Sequence, residues 1–379
     1  MSILDLASSY GLPFLIALTV LIFFHELGHY WVARLNGVRV EVFSIGFGTE
    51  IYGWTDAAGT RWKISAVPLG GYVKMFGEAE LEADGEEKPP MTPEEEAVSF
   101  THKSLMQRAA IVVAGPAANF ILAIVFYAFV AAAVGVPRAY YAGVGQIEPG
   151  SPAAAADFRP GDRILSVDER PVTWFSDLIE AVSARPEEPI TVLVRRDSTE
   201  IPIRVTPRRV TRTDADGNRV DIGQLGIRPD PRQADFERQG PIAAVWIGVE
   251  QTVGLTGNIL DYLGELVAGR GNKEDVGGVL RIAQFSGKTF ESGMDSFILF
   301  LAALSVNLGL INLFPIPLLD GGHLMFLVAE AVRGRPLGPR VQEYGFRFGL
   351  ILVLILMVFV TWNDLVHLRV IEYIKELAT

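Results

Sequence analysis

The sequence predicts a polytopic α-helical membrane protein of about four transmembrane helices, with a membrane-associated β-hairpin region and one inserted α+β domain. Three observations predict it. Half of the 379 residues are hydrophobic and only 20% are charged, with a mean hydropathy of +0.30, more apolar than a water-soluble chain of this size. The apolar residues are gathered into runs rather than spread. Between the second and third runs the composition turns soluble, with Gly, Pro and Asp at turn-like intervals.

The runs are Gly11–Ala33, Ala109–Val136, Ser296–Leu319 and the shorter Phe348–Trp362. A bilayer-crossing helix takes about 20 apolar residues, so these read as four spans, the last flanked by Arg347 and Asp364 at headgroup level. The first reads as a retained span rather than a cleaved signal peptide, because no Lys or Arg precedes it and no small-residue cleavage site follows it. Pro241–Leu263 is also fairly apolar, but Glu250, Gln251, Asn258 and Asp261 suit a helix lying at the interface.

Basic residues in short loops set the orientation. Arg34, Arg39, Arg61, Lys63, Lys74, Lys88, Lys103 and Arg108 lie between spans one and two, and Arg333, Arg335, Arg340 and Arg347 between spans three and four. Both loops are therefore expected in the cytoplasm, and Arg138–Asp295 outside. The acid-rich stretch Glu78–Glu96 reads as a solvated loop. A net charge of −11 argues against nucleic acid as a partner, and the absence of cysteine excludes disulfides, Cys-ligated metal and a thiol nucleophile.

Polar residues stand out against this background. His25-Glu26-Leu27-Gly28-His29 lies within the first span. Histidines at i and i+4 share a helix face, the spacing that holds Zn²⁺ beside a general base. Ionisable groups at membrane depth are costly, so three together imply function. A catalytic zinc takes three protein ligands and keeps one position open. The third ligand is sought at the end of the third span, in Asn312-Leu-Phe-Pro315-Ile-Pro317-Leu-Leu-Asp320-Gly-Gly-His323, where two prolines break the helix. Asp320 is the natural candidate, His323 its rival, and Asn312 a polar neighbour. His102 and His367 read as surface residues. Arg61–Gly77 has the composition of a hairpin, with Trp62, Ile64 and Ala66 before a Pro68-Leu-Gly70-Gly71 turn and Tyr72, Val73 and Met75 after it.

Taken together, these segments resemble the site-2 protease family of intramembrane zinc metalloproteases, in its bacterial regulator-of-sigma-E branch. His25–His29 is similar to the family's zinc helix and Asn312–Gly322 to its second motif. Pro68–Met75 and Gly115-Pro-Ala-Ala-Asn119 look like its loop and second-span motifs. The resemblance implies one Zn²⁺ per chain held by His25, His29 and Asp320, with Glu26 as the base. It also implies substrate contacts from Asn312, Pro315 and Pro317 and from Gly70, Gly71 and Tyr72. The implied substrate is a single-pass membrane protein, an anti-sigma factor already cut outside, and the implied place is the bacterial inner membrane.

Arg138–Pro207 resembles a PDZ domain, with Gly143-Val144-Gly145 expected at the peptide and Trp174–Ala184 as the groove helix. A hairpin is expected to turn at Asp216-Gly217. The resulting division is 1–137, 138–210, 211–295 and 296–379. Two other readings stay open on the residues alone: a membrane PDZ scaffold with an inert metal site, and an ion transporter using the His/Glu/Asp cluster.

Overall fold

Among the described residues, four helices are long and apolar enough to cross a bilayer: Ser8–Leu35, Leu105–Ala133, Met294–Asn312 and Arg340–Val366. The computed structural model describes residues 7–78, 91–213, 219–230, 233–270 and 277–367. They divide into two compact units, one formed by Met1–Val130 with Pro241–Thr379, the other by Ala131–Gly240.

In the first unit, the first span is helical over Leu12–Leu35 and ends where Asn36 donates its side-chain amide back to the Val32 carbonyl and Gly37 turns to φ +69°. The second span begins on a reciprocal cap, Ser104 with Gln107. Small residues let the spans close on one another. A Cβ on Gly28 would sit 2.3 Å from the Ala114 carbonyl, and one on Gly309 3.1 Å from that of Pro116. Ser305 Oγ donates across to the Asn119 carbonyl at 2.7 Å.

The third span is shorter than the sequence predicts. Its helix stops at Asn312, and a new helix, Asp320–Arg333, follows a non-helical link. Pro315 and Pro317 forbid continuation, while Gly321 and Gly322 admit the link's carbonyls so closely that a Cβ would lie 2.1 Å from Phe314 O and 2.4 Å from Ile316 O. The fourth helix is longer than its apolar run, spanning Pro339–His367. Asp364, expected among headgroups, is instead fully buried. It accepts hydrogen bonds from the backbone N–H groups of Gly278, Leu280 and Arg281 at 2.8–3.2 Å. These are donors left open at the start of helix Val279–Ser292. Pro241–Val267 forms one helix and is not among the four candidate spans.

The expected hairpin within Arg61–Gly77 does not form. Strand β1 (Val40–Thr55) pairs antiparallel with strand β2 (Arg61–Met75), and the turn lies at Asp56–Thr60. Both strands bend, so the inner part of β1 is paired on both sides: Ile45 faces Gly71 and also Ile64, and Val42 faces Lys74 and also Arg61. The two arms assigned to one hairpin are thus separated by β1. The β-branched and aromatic run Val40-Glu41-Val42-Phe43-Ser44-Ile45 supplies that middle strand, and the expected hairpin overlooked it. The Pro68–Gly71 segment bends β2, with Gly70 at φ +113° against the Phe47 ring. Of the acid-rich stretch, residues 79–90 lie outside the described residues. Pro93–Val98 is a short helix rather than loop, started by a Thr92/Glu95 capping box.

The second unit is a small α+β domain. Its strands are β3 (Val136–Tyr140), β4 (Gln146–Ile147), β5 (Arg163–Val167), β6 (Arg170–Pro171), β7 (Ile190–Arg196) and β8 (Thr199–Val205), then β9 (Arg208–Thr213), β10 (Arg219–Gln224), β11 (Ile227–Arg228) and β12 (Ala234–Glu237). The main sheet runs β6-β5-β7-β8, and the last strands return to the first, β11 to β4 and β12 to β3. The unit therefore extends to residue 240, not 210. Leu225 sits in the same apolar core as Val144, Ile164, Val192 and Leu178, so residues 211–240 finish this domain rather than begin the next. β9 and β10 pair as the expected hairpin, whose Asp216-Gly217 turn lies outside the described residues.

One buried ion pair ties this domain together. Arg196 donates from Nε and Nη2 to the two oxygens of Asp162, both at 2.8 Å, and the Arg159 backbone N–H adds a third bond at 2.9 Å. Burial works to raise the Asp162 pKa, but the Arg196 and Arg159 bonds outweigh it and hold the carboxyl below its usual range. A depressed carboxyl contributes stability above its unfolded value of about 4 and loses it as pH falls through the folded one. The protection of amides across residues 163–167 and 190–196 of the full chain, measured as hydrogen exchange relative to the intrinsic rate at each pH, should therefore fall on acidification below about pH 4. Arg196→Met should lower that protection already at neutral pH and flatten its acid dependence. An unchanged acid response in that variant would remove the pair from the account.

Candidate active site

The first span is an uninterrupted helix through His25–His29, so both imidazoles leave the same face. The break after Asn312 allows the chain to turn and present Asp320, the first residue of its helix, against that face. The three side chains form the metal-capable cluster found among the described residues. His25 Nε2 lies 3.3 Å from His29 Nε2, and Asp320 Oδ2 lies 3.2 Å from the first and 3.5 Å from the second.

These distances test whether the residues fit zinc. Ligands about 2.0–2.1 Å from a tetrahedral ion stand about 3.3–3.4 Å apart. The observed edges, 3.2, 3.3 and 3.5 Å, lie within about 0.1–0.2 Å of that spacing. Asp320 Oδ2 is also buried without a hydrogen-bond partner, which is costly unless a cation takes it up. His29 Nδ1 lies 2.9 Å from the Ile111 carbonyl. That carbonyl can only accept, so the proton is on Nδ1 and the Nε2 lone pair is free toward the cluster. The donor set and its geometry fit a zinc site with one face open.

That open face gives onto a cavity of about 420 Å³. Glu26 lines it, 8% exposed, with its side chain packed beside Gly71: a Cβ there would be 3.1 Å from Glu26 Cγ and 2.7 Å from Ile22. Gly70, Gly71 and Tyr72 line the same cavity, as does Asn312, whose Nδ2 is 3.5 Å from His25 Nε2. Among the described residues, 71–75 pair with β1 on one side only, which leaves an edge beside the cluster.

Not every expected residue arrives there. Pro315 and Pro317 shape the link but do not line the cavity; Leu318, at φ +146°, and Leu319 do. His323, the rival ligand, lines the cavity yet stands outside the cluster, against the Phe346 ring at 5.3 Å. Gly143, Val144 and Gly145 are not at a groove. Val144 is fully buried in the domain core and the Gly145 N–H bonds to the Arg228 carbonyl. The groove of that domain, about 200 Å³, lies between the helix Phe175–Ser183 and residues 222–227. Because the closing strands come last in the chain, groove residues expected near the start of the domain are supplied by its end.

Sequence reasoning placed Gly115 and Asn119 in a second-span motif but gave them no role in holding the histidines. Gly115 packs on the His29 ring, and Asn119 meets His25. The signal that could have found it is that Asn119 is the sole side-chain amide in the uncharged run Ala109–Val136.

Residues 13–356 match peptidase family M50. A Rhizobium meliloti protein provisionally named a zinc metalloprotease is 45% identical over 361 residues, 94% of this chain and 96% of its own. Metalloprotease MmpA of Caulobacter vibrioides is 38% identical over 96% of this chain and 97% of its own. The regulator of sigma E protease of Salmonella typhi is 32% identical over 93% and 97%. Among solved structures, the PDZ domain of an SdrC-like protein from Listeria monocytogenes is 14% identical and covers 25% of this chain and 88% of its own. Its TM-score of 0.18 carries no argument. With a zinc-shaped triad beside a buried glutamate inside apolar helices, and similarity along nearly its whole length, the chain belongs to peptidase family M50, the site-2 proteases, and is a membrane-embedded zinc metalloprotease.

Proposed function

We propose that this protease cleaves single-pass membrane proteins within or beside their transmembrane helix, with an anti-sigma factor first trimmed outside the membrane as its substrate. The observation that carries the reading is one cavity shared by the His25/His29/Asp320 triad, Glu26, Asn312 and the strand edge at 71–75. A substrate helix must unwind before its carbonyls can react, because they are hydrogen-bonded and shielded. The edge at 71–75 can pair with the extended peptide and offset the lost bonds. Asn312 donates from its amide toward the substrate carbonyl.

Zinc, when bound, supplies a Lewis acid that polarises the scissile carbonyl and lowers the pKa of a water. Glu26 takes the water proton on its carboxylate and delivers it to the leaving amine. The basic loops support an inner-membrane arrangement with the site toward the cytoplasm and the 131–240 domain outside. That domain is read as PDZ-like. Its groove between the helix Phe175–Ser183 and residues 222–227 suits an extended peptide, so the domain screens or recruits substrate.

Purified protein should cleave a single-pass test substrate, lose the activity to a chelator and regain it with zinc. Substrates with a Gly or Pro in the transmembrane helix should be cut faster than a Leu-only helix, since less structure must be opened. Equal rates on both, or preference for a soluble unfolded peptide over either, would argue against the intramembrane substrate.

A further inference from the structure

Asn119 is fully buried in the second span, and its side-chain amide lies 3.0 Å from His25 Nδ1, while the amide's other terminal atom has no hydrogen-bond partner. Its backbone is pinned from the third span by the Ser305 hydroxyl. For His25 to turn the Nε2 lone pair toward an ion shared with His29 and Asp320, its proton must sit on Nδ1 and needs an acceptor there. His29 has such an acceptor in the Ile111 carbonyl. The only side-chain group bonded to His25 Nδ1 among the described residues is Asn119. Asn312, the other amide near this ring, meets it at Nε2 through its Nδ2, a donor. An Asn amide exchanges its oxygen and nitrogen by a half-turn, so which atom faces the ring follows from the ring's tautomer.

We propose that Asn119 is a positioning residue of the zinc centre: its Oδ1 accepts the Nδ1–H of His25 and thereby fixes the tautomer and rotation of that ligand. The second span then orients both histidines, His29 through a backbone carbonyl at Ile111 and His25 through a side chain two turns further on. The inference rests on the zinc reading of the triad. A purely packing role is the competing account, since Asn119 also fills the crossing beside Gly309.

The test separates shape from hydrogen bonding. Asn119→Leu keeps the volume and removes the acceptor; Asn119→Asp keeps an acceptor at the same place. The full chain in detergent is stripped of metal and reloaded, zinc affinity being read by chelator competition and ligand geometry by the visible spectrum of the cobalt-loaded form. Asn119→Leu should bind zinc about 10–100-fold more weakly, the cost typical of losing a ligand's hydrogen-bond partner, with altered cobalt bands. Asn119→Asp should stay within a few-fold of the native protein. Native affinity and spectrum in Asn119→Leu overturn the proposal. So does a loss in Asn119→Asp as large as in Asn119→Leu, which also decides the matter should the metal-free leucine variant melt early. Failure of the unaltered chain to bind zinc would sink the zinc reading itself and is told apart by that control.

Discussion

Glu26→Gln leaves zinc bound and abolishes cleavage. Glutamine keeps the shape of the side chain packed against Gly71 and Ile22, and it takes nothing from the triad that would hold the ion, His25, His29 and Asp320. What it loses is a carboxylate able to accept a proton and return it. General acid–base catalysis contributes about 10²–10⁴-fold, and here one group serves both proton transfers, so the upper end of that range is expected. The check is metal content per chain beside the cleavage rate of a helical substrate. Cleavage at the native rate with full zinc would remove Glu26 from the mechanism and leave the cavity without a base.

Gly115→Ala empties the metal site although it alters no ligand. A Cβ there would stand 2.2 Å from His29 Nε2 and 2.6 Å from Cε1. The ring has no simple retreat, since Nδ1 is held at 2.9 Å by the Ile111 carbonyl and Asp320 closes the other side. Overpacking of this kind costs about 1–3 kcal/mol where neighbours can shift. Here the neighbour that shifts is the ligand itself. Zinc content should fall well below one per chain and turnover with it, while the four helices stay folded. Gly254→Ala is the matching control: it adds the same methyl to a helix with nothing within 4 Å, so it should alter stability by no more than about 1 kcal/mol and leave zinc and cleavage unchanged. Equal behaviour of the two variants would mean that Gly115 does not seat His29.

Much of this site is legible in the amino-acid sequence. His25, Glu26 and His29 are neighbours along one helix, so their common face follows from the 3.6-residue repeat alone. Asp320 can be matched to them because two prolines and two glycines mark a break that lipid tolerates only at a cavity. The spans are legible as well, because hydrocarbon thickness translates into a count of apolar residues. Their ends are less so. The third stops at Asn312 and the fourth already begins at Pro339, since proline chemistry, not hydropathy, sets where helical bonding breaks and starts.

Strand pairing is the weak point. Residues 61–64 and 71–75 alternate as a hairpin would, yet β1 lies between them. Alternation shows that a segment is a strand and says nothing of which strand it pairs with. Gly143-Val144-Gly145 failed for a related reason: the domain closes with its last strands, and closure order is not written in local composition.

By itself, then, the sequence determined four membrane helices, a histidine pair with its glutamate, and the broken segment carrying Asp320 and its rival His323. Each depends on residues close together in the chain or on the chemistry of lipid. Only the tertiary structure decided that residues 71–75 border the cavity, that Gly115 seats His29, and that Asn119 meets His25. Those are contacts between segments far apart in sequence, fixed by how closely small residues let two helices approach, and no local pattern encodes that distance.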